Sequence, residues 1–363
     1  MQTQPERMPV ALPQAPSVVL SNGDRPAFGT AFTRSMVTAL HTAEEGWGEL
    51  TLSPRQPLTV DPAMVGIHYG QAVFEGLKAY RIPEGGLGIF RPRAHAERLR
   101  ASAARLAIPA PPMDLVLDGI SALARADVDL VPDSPDRAMY LRPLLVAADP
   151  SLALRPADTY LLLLIAFITG DFFADGTESI SVWIEDRYVR AAAGGAGDAK
   201  AAGNYAPTYL AQSDAAALGC QQVVWLDAHD RRWVEEMGGM NLFFVRRRAG
   251  RTALCTPPLS GTILAGVTRD TILTLARDRG VPTAELPLSV EEWRTGCETG
   301  EITEVFACGT AAGITPVGSV VGRDGRWTVG DGRPGPLTIQ LRGALRAVQR
   351  GEAADRHGWL VRI

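Results

Sequence analysis

Gly194-Gly195-Ala196-Gly197-Asp198-Ala199-Lys200-Ala201-Ala202-Gly203-Asn204-Tyr205 is the stretch around which the rest of the chain is organised. It sets one lysine between glycine-permissive segments. Glycine lets backbone approach a ligand or take positive φ, both of which a Cβ resists. The alanines beside Lys200 offer no carboxylate partner, and burial disfavours an ammonium. A lysine in such a place can lose its proton at modest cost, and neutral lysine is a nucleophile toward carbonyl compounds. The ordinary alternative is a solvated lysine in a flexible loop, and residues downstream decide between the two. Two nucleotide-binding patterns fail here. A phosphate loop needs Gly-Lys followed by Ser or Thr, whereas Ala199 precedes and Ala201 follows Lys200. A Gly-x-G-x-x-Gly fingerprint would need glycine where Lys200 stands.

At 363 residues the chain is long enough for two domains or one large one. With 46% hydrophobic and 21% charged residues it has the composition of a soluble globular protein. A net charge of −4 leaves no basic footprint for nucleic acid. Cys220, Cys255, Cys297 and Cys308 are scattered, as expected of free thiols in a reducing cytoplasm. The apolar run Tyr160 to Ile168 is too short to span a bilayer and reads as a buried strand. His41, His68, His95, His229 and His357 lie far apart, so no metal site is expected. Prolines at 5, 9, 13 and 16, with no apolar signal core, predict a frayed N-terminal arm.

Along the chain, Thr51–Val60 reads as an edge strand. Leu77–Arg81 and Leu87–Phe90 read as an antiparallel pair around Glu84-Gly85-Gly86. Residues 93–106 read as a helix carrying several arginines, one of which could serve a phosphate. Met139–Val146 is a strand with Arg142 alone among apolar residues, where an unpaired guanidinium would be costly. A domain boundary falls in the polar segment 169–179. Ile180–Ile184 is then a strand, and Asn204 is placed to cap a helix running to Leu218. Gln222–Asp227 and Trp233–Met237 form a hairpin, and Leu242–Val245 and Glu304–Ala307 are strands. Gly266 opens a helix reaching Arg279, and Ser289-Val290-Glu291-Glu292 is a capping box.

Pyridoxal phosphate demands a lysine, an anion at its ring nitrogen and a phosphate cup. Beside Lys200, the chain offers Glu236 at a strand end next to Gly238-Gly239. It offers Gly266-Val267-Thr268 at a helix start, with free N–H groups and the positive dipole end. Thr310, between Gly309 and Gly313, adds a hydroxyl. Singly, each of these features is commonplace. Together with Phe28-Gly29-Thr30-Ala31-Phe32-Thr33, His68-Tyr69-Gly70-Gln71, Phe74-Glu75-Gly76-Leu77-Lys78-Ala79, Tyr140-Leu141-Arg142-Pro143, Glu236 to Asn241, Leu264 to Arg269 and Gly309 to Ala312, they resemble the branched-chain amino acid aminotransferases of bacterial type. These are pyridoxal-phosphate enzymes of fold type IV.

The resemblance implies a two-domain α/β (α+β) chain with the D-amino acid aminotransferase-like fold. A small domain spans 1–174, a linker 175–185 and a larger cofactor domain 186–363. It implies that Lys200 bonds the cofactor covalently and then shuttles the substrate's proton. Glu236 pairs with the ring nitrogen and Tyr205 with the ring hydroxyl. Arg98, Val267, Thr268 and Thr310 hold the phosphate. Phe28, Tyr69, Phe74, Tyr140 and Leu154 wall an apolar side-chain pocket. Amides at Thr310 and Ala311 take the α-carboxylate, and Arg142 takes the distal carboxylate of glutamate or 2-oxoglutarate. The implied reaction is ping-pong transamination of leucine, isoleucine and valine by a cytoplasmic homodimer, with Leu154 reaching across the interface. Three departures stand out: Ala312 and Thr315 replace a redox cysteine pair of animal members, Gly239 replaces a hydroxyl residue, and Leu154 is bulkier than usual. The nearest rivals on the fold, a D-amino acid aminotransferase or an aminodeoxychorismate lyase, fit Arg142 and the aromatic set less well. A non-catalytic scaffold fits the intact Lys200, Glu236 and Thr310 poorly.

Overall fold

The computed structural model describes residues 26–134, 136–170 and 178–363. The proline-bearing arm and the boundary near residue 174 lie outside the described residues. In chain order the first half gives β1 (Phe32–Thr42), β2 (Gly46–Trp47), β3 (Thr51–Pro54), α1 (Val65–Tyr69), β4 (Ala72–Phe74), β5 (Leu77–Arg81) and β6 (Leu87–Phe90). α2 (Pro92–Arg105), α3 (Met113–Ala126), β7 (Ala138–Ala147) and β8 (Tyr160–Thr169) follow. The strands form an antiparallel sheet ordered β6-β5-β7-β8-β1-β2, with β3 on β1 and β4 on β7. The two-residue period of β8 puts Tyr160, Leu162, Leu164 and Ala166 on one buried face. They share a core with Leu99 of α2 and Val116, Ile120 and Leu123 of α3. Leu99, Leu123 and Leu164 are sealed from water, each burial worth about 1.5–3 kcal/mol.

The second half gives β9 (Ile180–Glu185), α4 (Tyr209–Ala217), β10 (Gln222–Leu226), β11 (Val234–Met237), β12 (Met240–Arg248), β13 (Arg251–Thr256) and α5 (Val267–Asp278). Then come β14 (Thr283–Glu285), α6 (Val290–Thr299), β15 (Ile302–Gly309), β16 (Gly313–Gly322), β17 (Gly325–Thr328), α7 (Pro336–Gln349) and β18 (Leu360–Arg362). The second sheet runs β11-β10-β9-β16-β15-β12-β13-β14, and β11 also pairs with β12, which closes the β11-to-β12 part into a barrel. That closing hairpin brings Glu236 opposite Asn241. The expected capping box is present, with Ser289 and Glu292 each bonding the other's backbone N–H.

Of three local features, one meets the expectation, one revises it and one comes from the structure alone. The expected strand Ile180–Ile184 is present as β9, Ile180–Glu185, bonded on both sides by β10 and β16. Asn204 caps no helix: its side-chain amide donates to the carbonyls of Ala196 and Ala199 at 2.6 and 3.0 Å, and α4 starts only at Tyr209. The side chain is spent on folding the lysine loop, and two short 3-10 turns fill the gap to α4. The C-terminal tail, which carries no readable motif, returns as β18 to pair with β6 in the first sheet.

The two sheets meet around Lys200. Ala199 and Ala201 are buried in the first core although they belong to the second half of the chain. Ala201 bridges to Val73, and the Phe74 N–H donates to the Lys200 carbonyl at 3.0 Å. Gly197 lets the loop pass close to its neighbours, because a Cβ there would sit 2.6 Å from the Thr262 carbonyl oxygen.

Candidate active site

A cleft of about 220 Å³ opens between the sheets, lined among others by Phe28, Phe74, Arg98, Tyr140, Arg142, Lys200, Tyr205, Val267, Thr268, Thr310 and Ala311. Residues spread over nearly 300 positions of sequence thus share one wall. Lys200 Nζ donates to the Tyr205 hydroxyl at 3.0 Å and lies 4.9 Å from the centre of the Phe74 ring. Its backbone is fixed from the first half: Ser102 of α2 accepts the Lys200 N–H at 2.9 Å, and Arg105 donates to the carbonyls of Gly194 and Gly195. One face of α2 therefore carries both Arg98 and the supports of the lysine loop.

Glu236 is almost wholly buried, just behind the lining. One oxygen accepts the Leu264 N–H at 2.6 Å, and the other lies 3.2 Å from Arg190 Nε. Burial pushes its carboxyl above the ordinary range, against the opposing pull of Arg190, the Leu264 amide and Lys200. Arg190 is held in turn by the carbonyls of Gly197 and Thr262.

Arg98 is clamped before any ligand arrives. Its Nε and one terminal nitrogen meet the two oxygens of Glu75 at 2.6 and 2.9 Å, and the other terminal nitrogen donates to the Ala265 carbonyl at 3.1 Å. Glu75 also accepts from the Gly76 N–H at 3.1 Å and from His95 Nδ1 at 2.8 Å. Burial would raise the Glu75 carboxyl, but Arg98 and His95 overcome it and hold the group well below the usual carboxylate range. Burial lowers His95, so it stays neutral and donates through Nδ1 to an acceptor-only carboxylate. Facing Arg98, α5 begins at Gly266 with no side-chain cap, so its first N–H groups are available to an anion.

The apolar wall is aromatic. Tyr140 stacks on Phe167 at 4.8 Å, and Phe28 meets Tyr140 edge-on at 5.1 Å. Arg142 lies 4.9 Å over Phe74 and 5.4 Å over Tyr140, and among the described residues its buried Nε has no hydrogen-bond partner. Gly76 makes room for Tyr140, since a Cβ there would lie 1.8 Å from the Tyr140 hydroxyl. Gly76→Ala is therefore expected to cost about 1–3 kcal/mol by overpacking. Urea denaturation measures that cost, and weaker binding of a leucine-shaped carboxylate would report the displaced ring.

Two residues named from sequence stand apart from this wall. Leu154 is 88% exposed and Tyr69 is 50% exposed, its hydroxyl donating to the Leu152 carbonyl at 3.1 Å. Conversely, Glu75, His95, Ser102, Arg105 and Arg190 carry the geometry, and none was singled out from sequence. Glu75 had a readable signal, a charge between Phe74 and Gly76-Leu77, the same oddity that marks Arg142. Arg190 had none, because its partner lies far along the chain.

The donor set fits pyridoxal phosphate: an amine in a cleft, a buried carboxylate behind it, and an uncapped helix N-terminus beside a fixed guanidinium. A family model described as amino-transferase class IV matches residues 72–320. The chain is 49% identical over 339 residues to the branched-chain-amino-acid aminotransferase of Mycolicibacterium smegmatis, covering 93% of this chain and 92% of that protein. Its structure is similar to that of the Escherichia coli branched-chain amino acid aminotransferase, with TM-score 0.74, 31% identity, and coverage of 85% of this chain and 96% of that one. It is also similar to the branched-chain amino acid aminotransferase of Thermobaculum terrenum, solved in its PLP form, with TM-score 0.70, 28% identity, and coverage of 89% and 97%.

Proposed function

Because the chain belongs to the class IV aminotransferases, and within them to the branched-chain amino acid aminotransferases of fold type IV, we propose that it transaminates leucine, isoleucine and valine with 2-oxoglutarate in alternating, ping-pong half-reactions. Pyridoxal 5′-phosphate is the cofactor, held by Lys200, Tyr205, Glu236, Arg98, Val267, Thr268 and Thr310. When bound, it withdraws electrons from the substrate's Cα–H bond. Lys200 Nζ is the base that takes and returns the Cα proton, and its 3.0 Å bond to Tyr205 aims it into the cleft. Glu236 supplies the anion for the ring nitrogen, kept in place by Leu264 and Arg190. Arg98 and the α5 N-terminus supply the phosphate's partners.

The observation that carries the substrate reading is Arg142, a guanidinium with an unpartnered buried Nε set between aromatic rings. Leucine's side chain can lie on the Phe28–Phe74–Tyr140 wall, and only a longer acidic substrate needs the charge. Amides at Thr310 and Ala311 take the α-carboxylate. Exposed Ile67, Tyr69, Leu152 and Leu154 form an apolar rim that supports a homodimer in which Tyr69 and Leu154 complete the pocket of the partner subunit. The cleft fits a smaller domain ending near residue 174 and a larger cofactor domain after it. A cytoplasmic setting accords with four free cysteines. Among the described residues no helix is long and apolar enough to cross a membrane.

The test is the visible spectrum of the purified holoenzyme. Leucine should bleach the yellow band and 2-oxoglutarate should restore it. Bleaching by D-alanine and not by leucine would keep the fold and overturn the substrate. Arg142→Met should weaken 2-oxoglutarate in its half-reaction by about 10- to 100-fold, the worth of a hydrogen bond to a charged group. The leucine half-reaction should change little, and stopped-flow spectra of each half-reaction separate the two.

A further inference from the structure

We propose that Lys78 is a positioning residue for the substrate α-carboxylate, an inference that rests on the aminotransferase reading above. β15 and β16 are joined by the short turn Thr310-Ala311-Ala312, bracketed by the paired Gly309 and Gly313. Three residues of turn carry few backbone bonds of their own, so something else must fix their amides. Lys78 Nζ reaches from β5 in the other sheet and donates to the Ala311 carbonyl at 2.8 Å. The strand register explains the reach. Lys78 pairs directly with Tyr140 across β5 and β7, and directly paired residues share a face. Lys78 therefore stands on the same side of the first sheet as the cleft-lining Tyr140.

Two consequences follow for a carboxylate held on this turn. The ammonium holds the Ala311 carbonyl and with it the Ala311–Ala312 peptide plane, which restricts the turn so that the preceding amides of Thr310 and Ala311 are set before the substrate arrives. It also brings a formal positive charge to the turn from a half-buried place, where charge interactions are stronger than in bulk water. Arg142 and Lys78 thus serve opposite ends of a dicarboxylate: Arg142 faces the side-chain pocket, while Lys78 backs the end that every amino acid presents. Lys78 makes no bond to the substrate in this scheme and acts through Ala311.

The experiment uses holoenzyme and two probes of leucine's shape, 4-methylpentanoate and its neutral amide, titrated calorimetrically into wild type, Lys78→Met and Lys78→Arg. Lys78→Met should raise the Kd of the carboxylate about tenfold and that of the amide only about twofold, because both probes use the preset amides and only the carboxylate also feels the charge. Lys78→Arg should restore most of the carboxylate affinity. In steady state the Lys78→Met loss should appear in KM for leucine with kcat retained. Equal weakening of carboxylate and amide would reduce Lys78 to a support of the turn and overturn the proposal, as would unchanged carboxylate binding. If wild-type holoenzyme neither binds the carboxylate nor is bleached by leucine, the aminotransferase reading itself fails and takes this one with it.

Discussion

Lys200→Ala is expected to lower kcat for leucine transamination by about 10⁴-fold or more, because one substitution removes both the proposed covalent anchor and the proposed base. Nothing nearby can substitute. Tyr205 is within hydrogen-bond reach of the lost amine and touches the Phe74 ring at 4.9 Å, but its phenol is not an amine and cannot take over the covalent role. The loop should keep its shape, since Ser102 and Phe74 hold the Lys200 backbone and not its side chain. Borohydride reduction followed by mass spectrometry should show the cofactor's mass on wild type and none on the variant. The noncovalent contacts remain, so the variant should still retain cofactor on a desalting column, more weakly than wild type. A variant that kept wild-type turnover would remove Lys200 from the chemistry altogether.

The candidate residues gathered at the cleft were legible in the sequence, and the residues that support them were not. Lys200, Glu236, Thr268 and Thr310 each sit in a local pattern of loop, strand end, helix start or glycine-bracketed turn, which can be read within a few residues. The long strands β7 and β8 were readable for the same reason, as unbroken apolar runs. What could not be read is pairing across distance. Arg190 meets Glu236, Ser102 meets the Lys200 backbone, and Lys78 meets Ala311 over 46, 98 and 233 positions. No local period encodes such pairs. Asn204 shows the opposite failure: a local rule for helix caps was outbid by two carbonyls of its own loop. β18 is short and half-exposed, and only its partner β6 makes it a strand.

Glu75→Gln should destabilise the apo-protein by about 3–5 kcal/mol, the cost of breaking a buried ion pair by removing one partner. Glu75 is 1% exposed and receives hydrogen bonds from Arg98, His95 and Gly76. A glutamine's NH₂ would point a donor at one of those donors, and the Arg98 charge would be left uncompensated. The sign of the pH dependence follows from the direction of the shift. The folded-state carboxyl is held below its ordinary value of 4.5, so its stabilisation is fully present above that value and is lost only as pH falls toward the folded-state value. The difference between wild type and variant in urea midpoint should therefore be flat from neutral pH down to mild acid and shrink only below the ordinary carboxylate range. A difference that faded already near neutrality would mean that Glu75 is not held ionised. A second variant separates folding from function. Glu75→Leu with Arg98→Met replaces the pair by apolar groups and should recover part of the stability, as buried pairs often do. It should still bind pyridoxal phosphate weakly, because the guanidinium facing the α5 N-terminus is gone. If the double variant bound cofactor as wild type does, the clamp would serve the fold alone, and Arg98 would lose its place among the phosphate's partners.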